Sequence, residues 1–71
     1  MIKEIDVRGL SCPQPVMMVK KAIDTGETDF LVVASDSVAI GNIQRLAENN
    51  GFNVELQKKP DGDVVLNVKK R

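Results

Sequence analysis

Seventy-one residues carrying ten basic and ten acidic side chains make one small, charge-balanced domain spanning residues 1–71. That balance argues against binding driven by neutralisation of nucleic-acid phosphates. A single cysteine excludes an internal disulfide framework, and the absence of histidine removes Cys–His pairs, Ser–His triads and nearly all zinc sites. A chain this short buries roughly 60% of its unfolded surface. Two phenylalanines are its only aromatics, so Val, Ile, Leu, Ala and Met must fill the core. Such a core leaves little room for a nucleotide-sized pocket, and neither a cofactor nor a metal is expected.

Ile2 to Val7 opens the chain with loose alternation, Ile5 and Val7 against Glu4 and Asp6, which predicts a first strand. From residue 13 to about residue 24, Val16, Val19, Ala22 and Ile23 recur at spacings of three and four, the period of an amphipathic helix. Gly26 closes that region, and Phe30 to Ala34 reads as a buried central strand. Ser35, Asp36 and Ser37 supply N-capping side chains for a second helix striped by Ala39, Ile40, Ile43, Leu46 and Ala47. Asn50-Gly51 ends it, with Gly51 in a left-handed cap and Phe52 folding back. Asn53 to Lys59 alternates through Val54 and Leu56. Pro60-Asp61-Gly62 then makes a turn of about three residues before Val64, Leu66 and Val68 alternate again.

The order is β-α-β-α-β-β. It predicts an α/β two-layer sandwich, with a mixed four-stranded sheet and both helices on one face. The charged start of the chain does not resemble a secretory signal, and no apolar run reaches membrane-spanning length, so the expected setting is the cytoplasm with no membrane partner.

The chemistry concentrates at residues 8–15, Arg-Gly-Leu-Ser-Cys-Pro-Gln-Pro. A residue before proline is pushed out of helical geometry, so Cys12 suits the N-cap and Pro13 the first helical position. Pro15 then falls at the third, and neither proline sacrifices an intrahelical bond, because first-turn amides have no carbonyl partner. This leaves the Gln14 amide as the natural donor to the Cys12 sulfur. The helix dipole adds its positive end, and both effects favour the nucleophilic thiolate. Arg8 adds further positive charge if its loop folds back. A lone cysteine in a small domain is ordinarily a packed apolar residue. Against that, Cys12 sits at a polar junction after Gly9, where two prolines hold the helix start.

The run Asp6-x-Arg8-Gly9-Leu10-x-Cys12-Pro13-x-Pro15-Val16 resembles the signature of the TusA/SirA family of small sulfur carriers with a C-P-x-P motif. The resemblance covers essentially the whole chain. The second half, from Ser35 to Phe52, is similar to the N-terminal module of YedF-type proteins linked with selenium metabolism. TusA usually enters the second helix through a D-D-P-type sequence, where this chain has Ser35-Asp36-Ser37. The resemblance implies that Cys12 accepts sulfane sulfur as a persulfide from a cysteine desulfurase or rhodanese-type donor and relays it to an acceptor protein. Thiol-to-thiol transfer of this kind needs an exposed nucleophilic sulfur and neither metal nor imidazole. The alternatives are a regulatory or adaptor module that binds partners through the Cys12 face, and a selenium-handling variant of the carrier.

Met17 lies off the apolar stripe, between Lys20 and Lys21 on the helix surface, and these three are the expected partner-docking residues. Asp36 is expected to hold Arg8 or the loop before Cys12 if both helices start at the same end of the sheet, besides capping the second helix. Lys58, Lys59 and Lys69-Lys70-Arg71 are read as solubilising strand edges.

Overall fold

The computed structural model describes residues 3–10 and 14–71. Its elements run β1 (Lys3–Asp6), α1 (Gln14–Asp24), β2 (Asp29–Ala34), α2 (Ser37–Asn49), β3 (Phe52–Lys58) and β4 (Val64–Lys70). The sheet order is β1-β2-β4-β3. Strand β1 pairs parallel with β2, while β4 lies antiparallel to both β2 and β3. Strands β1, β2 and β3 therefore share one direction, and β4 is inserted between the last two of them.

Register explains which side chains meet. One line across the sheet joins Ile5, Val32, Leu66 and Leu56, and a second joins Phe30, Val68 and Val54. Alternation sends these residues to the same face. There all of them but Leu56, which is 51% exposed on the edge strand, pack into one core with Val19 and Ala22 of α1 and Ile43 and Ala47 of α2. Both helices thus cover a single face, and the mixed α/β sandwich expected from the element order is the observed fold. The aromatic rings of Phe30 and Phe52 meet at 6.0 Å between centroids, tilted by 60°. Among the described residues, the opposite face of the sheet carries no helix. Leu31, Val65 and Asn67 are half-buried on it, flanked by exposed Glu4 and Glu55.

Local chemistry sets the element ends. Asp36 is the N-cap of α2, its carboxylate accepting from the Val38 amide at 3.3 Å. At the other end Gly51 has φ +85 and its amide donates to the Glu48 carbonyl, the left-handed termination that glycine favours. The β3–β4 hairpin closes through a Lys59–Gly62 turn with Pro60 at its second position. Lys59 N–H also donates to the Asp63 carbonyl at 2.8 Å, and Gly62 has φ +96. This is a tight turn followed by a glycine bulge, with the loop length the sequence implied.

Among the described residues, no helix is long and apolar enough to cross a membrane.

Candidate functional site

Because β1 and β2 are parallel and β4 runs against them, one end of the sheet gathers several segments: the chain leaving β1, the starts of α1 and α2, and the β3–β4 hairpin turn. Ser11, Cys12 and Pro13 lie outside the described residues, and so does the assignment of Cys12 to the N-cap and Pro13 to the first helical position. Both flanks of Cys12 are described.

On the upstream flank, Val7 ends β1 by donating its amide to the Val33 carbonyl at 2.9 Å. The chain then turns. Leu10 N–H donates back to the Val7 carbonyl at 3.3 Å, and Gly9, third in this four-residue turn, has φ +77. A positive φ at that position is the requirement of a type II turn, which accounts for Gly9. Arg8, the second residue of the turn, is tied down on two sides. Its Nε and Nη2 donate to the two carboxylate oxygens of Asp6 at 2.9 and 2.7 Å. Its Nη1 donates to Asp63 Oδ2 at 2.9 Å, and its backbone N–H also reaches Asp6 Oδ1 at 3.0 Å.

These contacts correct two expectations. The described partners of Arg8 are Asp6 and Asp63, whereas Asp36 is engaged in capping α2. The positive charge expected from Arg8 is met by two carboxylates, so this three-residue cluster carries a net negative charge. The side-chain hydrogen bond from Arg8 comes first, and its backbone amide second, in lowering the Asp6 carboxyl from 3.8 to about 2. Asp6 in turn, followed by Asp63, holds the Arg8 guanidinium more firmly protonated than usual.

On the downstream flank, α1 begins at Gln14, which is exposed, while Pro15 is fully buried. Pro15 therefore packs in the core as well as opening the helix. Met17 and Met18 are exposed at 62% and 40%, large values for apolar side chains. With Leu10, Gln14 and Lys21 they line an open groove of about 370 Å³. In the sequence Leu10 stands two residues before Cys12 and Gln14 two after it. A second trough of about 280 Å³ shares Met18 and Lys21 and continues along α1 to Lys3 and Ile5 of β1. Of the three expected docking residues, Met17 and Lys21 line the groove. Lys20 instead pairs with Asp24, one helical turn on, at 3.2 Å.

Leu10 and Asp63 did not stand out as site residues in the sequence. Leu10 belongs to the motif but faces the groove only because the turn directs it there. Asp63 lies 55 residues from Arg8, and no local pattern links them. Among the described residues no group of three or more Cys, Asp or Glu side chains is placed to hold a metal ion.

The family model for the sulfurtransferase TusA matches residues 3–70. A candidate sulfur carrier protein of Methanocaldococcus jannaschii is 39% identical over 97% of this chain and 95% of its own length. Another candidate sulfur carrier protein, from Archaeoglobus fulgidus, is 34% identical over 96% of this chain and 92% of its own. The crystal structure of a SirA-like protein from Desulfitobacterium hafniense superposes with a TM-score of 0.83 at 32% identity, covering 97% of this chain and 96% of that one.

Proposed function

Because the chain belongs to the TusA family, we propose that it is a sulfur carrier that holds sulfane sulfur as a persulfide on Cys12 and passes it to an acceptor protein. The observation that carries this reading is the apolar, lysine-edged groove of Leu10, Gln14, Met17, Met18 and Lys21, whose first two residues bracket Cys12. A carrier must present its sulfur to at least two protein partners. Flexible, polarisable methionine side chains beside the thiol segment suit a surface that repacks against more than one.

In the loading step, the Cys12 thiolate attacks the outer sulfur of a donor cysteine persulfide. A new Sγ–S bond forms, the donor's S–S bond breaks, and the donor cysteine leaves as a thiolate. Delivery repeats the exchange, with an acceptor thiolate attacking the outer sulfur on Cys12 and Cys12 leaving. The donor is of the cysteine desulfurase or rhodanese type. No net oxidant is consumed, which suits a reducing cytoplasm. The start of α1 would favour the thiolate through the Gln14 amide and the helix dipole.

The test is mass spectrometry after incubation with a cysteine desulfurase and cysteine. The expected result is a gain of one sulfur atom on the wild type and none on Cys12→Ser. Failure to load where another sulfur carrier is loaded would reject the carrier reading in favour of an adaptor that uses the same exposed methionine face. Substituting selenocysteine for cysteine in the donor reaction distinguishes a selenium-handling variant.

A further inference from the structure

Arg8 and Asp63 form the one described side-chain bridge between the turn that leads to Cys12 and a distant part of the fold. Arg8 is the second residue of the Val7–Leu10 turn, and Cys12 follows that turn by two residues. Asp63 is a well-fixed anchor. Its amide donates to Asp61 Oδ1 at 3.0 Å, and its carbonyl accepts from Lys59 across the hairpin at 2.8 Å. Its side chain is only 15% exposed, against 48% for Arg8 and 49% for Asp6. Neighbouring strands lie about 4.8 Å apart, so the bridge spans two strand spacings, from β1 past β2 to the start of β4. Asp6 alternates with Ile5 and therefore lies on the helix-free side of the sheet, away from the core formed by α1 and α2.

A charge contribution from Arg8 to the thiol is a poor account of this arrangement, because two carboxylates already neutralise the guanidinium. The planar fork of arginine, spent on two fixed carboxylates, is better suited to holding geometry. We propose that Asp63 is a positioning residue for Cys12, acting through Arg8 to hold the Val7–Leu10 turn and so the register in which the thiol meets the start of α1. This rests on the reading of Cys12 as a thiolate favoured by the helix start.

The experiment is the pH profile of Cys12 alkylation by iodoacetamide in wild type, Asp63→Asn and Arg8→Lys, with thermal melts run in parallel. Positioning predicts that both variants raise the alkylation midpoint and slow persulfide loading at pH 7 by about threefold or more, while both proteins remain folded at the assay temperature. A charge effect predicts the opposite pattern: Asp63→Asn frees the Arg8 charge and lowers the midpoint, and Arg8→Lys leaves it in place. A merely structural bridge lowers the melting temperature and moves neither midpoint. Either of these outcomes overturns the proposal. A wild-type midpoint near the ~8.5 of free cysteine would instead overturn the thiolate reading on which it rests. Arg8→Lys should not rescue the profile, because a point charge on a flexible stem cannot grip both carboxylates as the fork does.

Discussion

Pro15→Ala separates the two roles that the second proline of the motif can have. Pro15 is fully buried in the first turn of α1. The change deletes two ring carbons, and at about 0.8 kcal/mol per buried methylene the transfer loss is about 1.6 kcal/mol. Alanine also gives the unfolded chain freedom that proline denies it, adding about 0.4–1 kcal/mol. No hydrogen bond is lost, because an amide in the first turn has no carbonyl partner within the helix. The expected destabilisation is about 2–3 kcal/mol, before any cavity left unfilled. In a domain this small that lowers the melting temperature by roughly 10–20 °C. Circular dichroism melts and urea titrations measure it directly, and Cys12 loading at 20 °C, well below the transition, should stay within about twofold of wild type. A melting temperature within about 3 °C of wild type together with a large loss of loading would refute the argument, because Pro15 would then act on the sulfur and not through the core.

The lowered Asp6 carboxyl gives a pH dependence whose sign is fixed. Its folded value of about 2 lies below the ordinary 3.8, so its contribution is fully present above about pH 4 and is lost as pH falls toward 2. Urea midpoints taken from pH 5 to 2 should fall less steeply in Asp6→Asn than in wild type, and equal slopes would refute the link. Met17→Glu should leave the melting temperature within a few degrees, because Met17 is already 62% exposed. It should raise the apparent KM for a protein sulfur donor by about fivefold or more, as read in loading kinetics. Gly51→Ala meets no atom within 4 Å, so its cost is backbone strain alone, about 1–2 kcal/mol for a left-handed alanine, measurable by urea denaturation.

The element order was legible because each segment's pattern agrees with its packing. The stripe of Ala39, Ile43 and Ala47 is the buried face of α2, and Val64, Leu66 and Val68 alternate into the core. Asp36 announced the start of α2 because capping is a local interaction, completed two residues away. The partner of Arg8 was not legible for the converse reason. Asp63 reaches it only after β4 has been placed beside β2, and sheet order leaves no mark on residues 60–63 themselves. Lys20 and Lys21 are adjacent lysines on one helix, and only the position of Asp24 one turn away separates their roles. The burial of Pro15 was hidden in the same way, since its place in the motif accounted for its presence before its neighbours were known.

The insertion of β4 between β2 and β3 bears on the order in which the protein is made. A ribosome releases β1, the thiol segment, α1, β2 and α2 before it releases β4, and until then β3 has no neighbour to pair with. Closure of the sheet waits for the last of the six elements, which must enter the middle of the sheet and not extend its edge. Asp63 emerges immediately before that strand. Cys12 is therefore synthesised some fifty residues ahead of Asp63, so in a nascent chain the Val7–Leu10 turn lacks its distant anchor until the hairpin has emerged.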